Sequence, residues 1–250
     1  MEIAAHLTHL RQAGQSLADF AEAAGPDAPV PTCPDWQVHD LVRHTGAVHL
    51  WATAFVAEGH KSPRPLEDGP DLDGAELFAW YRAAHSALVD ALEAAPDDLE
   101  CWAFLPAPSP RAFWARRQAH ETTVHRVDAE SAQRGTDRAT VDAALAADGI
   151  DELLRGFHAR SRSRVRTEKP RTLRVRATDT DADADAVWTV RLSEEPPVTT
   201  RGADGQGGDA DCELSGPAAR LYLALWNRAP LPHVSGDAEL ARLWREKSGI

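Results

Sequence analysis

The stretch Arg117-Gln-Ala-His120-Glu121-Thr-Thr-Val-His125-Arg-Val-Asp128 decides how the chain is read. Taken as a helix, each residue advances about 100° around the axis, so positions four apart lie within about 40° of each other. Glu121 and His125 then point the same way, with Arg117 one turn before and Asp128 one turn after. A helix on a soluble protein's surface gives its charges to water and its apolar residues to the core. Four groups of such different chemistry in one row describe a polar site instead. The spacing excludes the zinc-protease signature His-Glu-x-x-His, which needs histidines at i and i+4. His120 and His125 are five apart, about 140° around the axis, and cannot share an ion from one helix face. Glu121 and His125 can.

Working outward, the first third of the chain reads as helices. Ile3, Leu7, Leu10, Gly14, Leu17, Ala21 and Ala24 keep a three-and-four spacing that ends at Gly25-Pro26, an amphipathic helix closed by its breakers. A second helix is expected from near Trp36, with the core stripe Leu41, His44, Val48, Trp51 and Phe55. His44 fills a slot where the pattern asks for leucine. A third runs from about Gly74 to Ala95, and the row itself sits on a fourth, about Ala112 to Gln133. Four helices of about 20 residues describe a four-helix bundle, an architecture that builds metal sites from inward side chains on facing helices.

A further helix is expected from Thr140 to about Arg160. The texture then changes. Thr172-Leu-Arg-Val-Arg-Ala-Thr and Val187-Trp-Thr-Val-Arg-Leu alternate apolar and polar residues, the period of half-buried strands. Between them, Asp179-Thr-Asp-Ala-Asp-Ala-Asp-Ala lacks the glycine and the distal glutamate of an EF-hand loop and reads as a solvated hairpin tip. After a Gly- and Asp-rich loop, a long helix from Leu214 to Trp226 and a shorter one from Asp237 to Lys247 close the chain. The expected fold is α+β in two domains: a helical bundle over residues 1–165 and a small α/β domain over 166–250.

Composition is ordinary for a globular protein of 250 residues, with 43% hydrophobic and 26% charged residues. A formal net charge of −12 argues against a nucleic-acid-binding surface, which needs clustered Lys and Arg. Three cysteines without CxxC spacing fit a reducing cytoplasm better than a disulfide framework. The N-terminus lacks the basic start and apolar core of a signal peptide, and no run is long enough to span a membrane. Scarce lysine beside abundant Arg, Ala and Asp is the bias of a GC-rich genome.

A third protein ligand added to Glu121 and His125 would complete a His₂Glu zinc shell with its fourth position open. His44, on a different helix and on the stripe facing the bundle axis, is the candidate. The plain alternative is a satisfied core histidine. Asp128 is placed to orient His125 as an outer carboxylate, or else pairs with a nearby arginine. His6, His9, His39, His49, His60, His85, His158 and His233 show no comparable grouping and read as surface or packing residues.

Thr32-Cys-Pro34-Asp-Trp36-Gln-Val-His-Asp40-Leu41-Val-Arg-His44, together with Arg117-x-x-x-Glu121-x-x-x-His125-x-x-Asp128, resembles the two metal motifs of the mycothiol-dependent maleylpyruvate isomerase family, a branch of the DinB-like helical bundles. Gly216-Pro-Ala-Ala-Arg220-Leu-Tyr-Leu-Ala-Leu-Trp226-Asn-Arg228 and Val234-Ser-Gly-Asp237 look like the close of that family's second, sterol-carrier-like domain. The resemblance implies zinc or another divalent metal on His44, Glu121 and His125, and mycothiol as the thiol cosubstrate attacking an electrophilic small molecule. Such chemistry needs a cation for a carboxylate or a developing enolate, a role for arginine; Arg228 is the first candidate and Arg117 the second. Two other classes stay open: a non-catalytic binding or regulatory module, and a metal-dependent hydrolase that activates water.

Overall fold

The computed structural model describes residues 1–136, 138–179, 186–202 and 210–249. It divides the chain into two compact units, Met1–Ala139 and Thr140–Ile250.

The first unit holds four helices: α1 (Ile3–Ala24), α2 (Val38–Glu58), α3 (Gly74–Ala94) and α4 (Pro110–Arg134). Their ends follow local chemistry. Gln37 and Asp40 form a reciprocal capping box at the start of α2, and Gly59 closes it in the left-handed conformation. Ser109 caps α4, accepting from the Ala112 amide at 3.1 Å, with Pro110 in the first turn. α1 packs on α4 and α3, and α2 packs on α3 and α4, so α1/α2 and α3/α4 are the diagonal pairs.

Three of these helices bury an apolar stripe. Leu17, Ala18 and Ala21 of α1 meet Leu41 and Val42 of α2 and Leu77, Phe78 and Tyr81 of α3 in one core cluster. α4 differs: Arg117, Gln118, His120, Thr122, Thr123, His125, Asp128, Glu130 and Ser131 are all buried. The polar row therefore lies inside the bundle.

The second unit begins before the expected boundary at 165, because α5 (Ala143–Asp151) packs against α6 (Ala218–Leu225). The buried face of α5 (Leu145, Ala146, Ile150) is spent within this unit. The helix expected to reach Arg160 widens into a π-helical turn over Glu152–Phe157 and stops there. A five-stranded sheet follows, in the order β3-β2-β1-β4-β5, built from β1 (Arg171–Ala177), β2 (Val187–Leu192), β3 (Val198–Arg201), β4 (Cys212–Gly216) and β5 (Val234–Gly236). β1 and β4 run parallel, pairing Leu173 with Cys212 and Val175 with Leu214, and the other pairs are antiparallel.

One sequence expectation is overturned here. Leu214 to Gly216 belong to strand β4, and the helix starts only at Ala218. Cys212 and Leu214 are buried in alternation with the less buried Glu213 and Ser215, which is strand periodicity, and Pro217 lacks the amide a continuing ladder needs. α7 (Ala238–Lys247) is capped by Asp237. Residues 180–185 of the acidic turn lie outside the described residues. Among the described residues, no helix is long and apolar enough to cross a membrane.

The α1–α3 contact depends on a glycine. A Cβ at Gly14 would overlap the His85 ring, which is fixed by a 3.1 Å hydrogen bond to the Leu10 carbonyl. Tyr81 also donates to the Gly14 carbonyl at 3.3 Å. Gly14→Ala is expected to destabilise the bundle by about 1–3 kcal/mol through overpacking, measured by chemical denaturation. An unchanged midpoint would contradict this packing.

Candidate functional site

Burying charge is costly unless each group is paired and hydrogen-bonded. The polar face of α4 meets that demand with a continuous chain of contacts. Glu121 Oε2 accepts from Arg117 Nη2 at 3.0 Å. Glu121 Oε1 lies 3.2 Å from His125 Nε2 and 3.7 Å from His44 Nε2. His125 Nδ1 is 3.0 Å from Asp128 Oδ2. Asp128 Oδ1 in turn accepts from the Thr32 hydroxyl at 2.6 Å, and Cys33 Sγ approaches Oδ2 at 3.5 Å.

Three elements bring these groups together. α4 supplies Arg117, Glu121, His125 and Asp128 at helical spacing. α2 supplies His44 from one turn inside its N-terminal end. The segment between α1 and α2 supplies Thr32, Cys33 and Trp36, because backbone bonds from the Val30 amide to the Trp36 carbonyl (3.0 Å) and the Val38 amide to the Ala28 carbonyl (3.0 Å) fold it into a tight loop. The Trp36 ring lies 5.0 Å from that of His44 and stacks 5.9 Å from that of His125.

The electrostatics follow from this geometry. Burial alone would raise the Glu121 pKa, but hydrogen bonds from His125 and His44 and the nearby charges of His125 and Arg117 outweigh it and hold the carboxyl well below its usual range. Burial likewise disfavours charge on His125, yet hydrogen bonds to Asp128 and Glu121 and their negative charges push its pKa up to about 9. Without a metal, His125 is therefore an imidazolium at neutral pH. His49, fully buried beneath this row with its Nε2 2.9 Å from the Thr122 hydroxyl, goes the other way. Burial and the neighbouring His85 hold its pKa well below the ordinary value.

The structure places His44, Glu121 and His125 with one ligand atom each within 4.8 Å of one another. Asp128 stands behind His125 on the ring nitrogen away from Glu121. Arg117, a candidate for a substrate-facing cation, is 3% exposed and engaged with Glu121. Arg228 belongs to the second unit, just past α6, where its Nη1 donates to the Trp226 carbonyl at 2.9 Å.

Sequence reasoning did not assign Thr32, Cys33 or Trp36 a role of their own. Their signal was present only in their closeness to His44 along the chain. The His49–Thr122 contact left no trace, since a buried histidine in an apolar stripe looks like packing.

Residues 8–130 match the family described as the mycothiol maleylpyruvate isomerase N-terminal domain, and residues 144–243 match the MDMPI C-terminal domain. No curated protein matches the chain. Among solved structures, the chain is similar to the crystal structure of the mycothiol-dependent maleylpyruvate isomerase, with a TM-score of 0.61, 14% identity, and coverage of 94% of this chain and 93% of that one. A histidine-to-alanine mutant of that isomerase matches with the same TM-score and coverage at 13% identity. With both family domains present in order over most of its length, the chain belongs to the mycothiol-dependent maleylpyruvate isomerase family.

Proposed function

We propose that this chain is a divalent-metal-dependent enzyme that uses a low-molecular-weight thiol, mycothiol in this family, to attack an electrophilic small molecule, as a transferase or an isomerase. The observation that carries this reading is the convergence of two imidazoles and one carboxylate, from His44, Glu121 and His125, within 4.8 Å. Two nitrogens and one oxygen fit the shell of a catalytic zinc site, which keeps a further position open. The outer contacts fit as well, since metal-bound histidines give their second nitrogen to a carboxylate, as His125 does to Asp128.

His44, Glu121 and His125 would hold the ion. When bound, it supplies the positive charge that keeps a thiol ionised at neutral pH, where a free thiol with a pKa near 8.5 is mostly protonated. The chain's own residues prepare the site for this. Arg117 occupies one oxygen of Glu121 and leaves the other facing both histidines. Asp128, itself held by Thr32, fixes the His125 ring so that Nε2 faces Glu121. The Trp36 ring packs against both imidazoles.

Three outcomes test this reading. Elemental analysis of protein purified without a His-tag is expected to find about one zinc per chain, lost in Glu121→Ala. Metal absent from both proteins would reduce the row on α4 to a structural polar network. With metal present, mycothiol consumption over a panel of electrophiles tests the chemistry, and Glu121→Ala should abolish it.

The second outcome concerns protons. The ligand form of histidine is neutral, and His125 keeps its proton up to about pH 9 in the metal-free site. Zinc must displace it, so affinity rises by up to about tenfold per pH unit from neutrality toward that pKa. Calorimetry in buffers of different ionisation enthalpy should show about one proton released per ion at pH 7.5. Binding without proton release would place the metal elsewhere.

The third is Asp128→Asn. It removes the charge that favours the imidazolium, so the His125 pKa should fall, as followed by NMR titration of the metal-free protein. Zinc affinity should drop by about 10–100-fold for want of the outer carboxylate. Unchanged values for both would leave Asp128 without a role at the site.

A further inference from the structure

His44 opens onto a cavity of about 420 Å³, and a second cavity of about 530 Å³ lies further along α2. They share the wall Ala47, Glu67, Asp68 and Gly69. Together they are of the size that takes a small molecule, about 300–1,000 Å³. Their outer wall is the segment between α2 and α3, which is pinned in place. Trp51 Nε1 donates to the Arg64 carbonyl at 3.0 Å, and Arg43 donates to the carbonyls of Pro70 and Leu72 at 3.0 and 3.1 Å. Gly69 lies so close to Arg43 that a Cβ there would collide with its side chain and press on Trp80.

Two properties of the lining point to one kind of ligand. The cavity away from His44 is walled by Trp51, Trp80 and Leu50, the last 41% exposed, and Leu66 stands 44% exposed at the cavity beside His44. These are apolar surfaces left open to solvent, a marker of binding sites on soluble proteins. The charge is one-sided. Asp35, Asp40, Glu58, Glu67 and Asp68 face only two guanidiniums, Arg43 and Arg64. Arg43 is spent on two carbonyls and lies 3.9 Å from both Asp40 and Asp73, and Arg64 lies 3.9 Å from Glu58. Among the described residues, Asp35, Glu67 and Asp68 have no ion-pair or hydrogen-bond partner. In the cavity away from His44, a carboxylate meets Glu58, Glu67 and Asp68 against Arg64 alone and is repelled, whereas a neutral ring gains apolar burial and a cation gains attraction.

We infer that the electrophile of this chain is an uncharged or cationic molecule with an apolar, ring-sized body. It seats along α2 against Trp51 and Trp80, with its reactive end toward His44. A carboxylate carried on that ring-sized body is disfavoured. The inference rests on reading His44 as part of the reacting centre, but the cavity's preference for charge is a property of the lining itself.

The test uses unreactive probes, so it does not depend on turnover. Calorimetric titration of the full chain, as purified, compares N-phenylsuccinimide with its ring-carboxylated and its ring-trimethylammonium derivatives. The neutral and cationic probes should bind at least about tenfold tighter than the carboxylate at low salt, with the gap shrinking in high salt. The double variant Glu67→Gln, Asp68→Asn, altered only at exposed positions, should narrow the gap several-fold. Equal or tighter binding of the carboxylate, an unchanged gap in the double variant, or no saturable binding of any probe would overturn the inference. A protein that discriminates these probes but consumes no thiol would overturn the proposed activity and leave this preference standing.

Discussion

The first unit's polar row is organised around Glu121, a half-buried carboxylate. A carboxylate taken out of water and left unpaired costs several kcal/mol, so the fold must bring it partners. Arg117 satisfies one oxygen from the turn before, and His125 and His44 approach the other. Each partner carries the same demand outward. His125 needs Asp128, and Asp128 needs Thr32, which ties α4 to the loop before α2. This explains why α4 can bury polar groups alongside its apolar residues. Where the other helices are placed chiefly by hydrophobic burial, α4 buries Phe113, Trp114, Val124 and Val127 and is tied in by hydrogen bonds and charge as well.

That arrangement also orders the site before any ligand arrives. Asp128 and Arg117 have already chosen which nitrogen of His125 and which oxygen of Glu121 point at each other. The consequence is a site whose His125 favours its protonated form. A network of this kind is worth more than its pairwise parts, because removing one member strands the next.

Much of this was legible in the sequence. The row on α4 stands out because helical spacing puts unlike polar groups on one face, and His44 stands out as a misfit in an apolar stripe. The links to Thr32 and Trp36 were not legible, since they depend on how a Pro-rich loop folds back across two helices. In the second unit, Cys212–Gly216 alternates for only five residues before helix-forming Ala218-Ala-Arg-Leu. A short strand running into a helix merges with it in any periodicity reading. β3 and β5, of four and three residues, are too short to show a period at all. The division near Ala139 was hidden for another reason: α5 has an ordinary amphipathic face, and only its packing on α6 assigns it.

The centre and the cavity beside it carry separate information. In the proposed reading, His44, Glu121 and His125 would set the class of chemistry. The lining of α2 and the segment that follows it would then set what the chain accepts. The most direct measurement of the central claim is X-ray absorption at the zinc edge of the loaded protein, before and after addition of mycothiol. The account predicts a shell of two imidazoles and light oxygen scatterers, gaining one sulfur at about 2.3 Å when the thiol is added. A shell without imidazole, or one that mycothiol leaves unchanged, would contradict it.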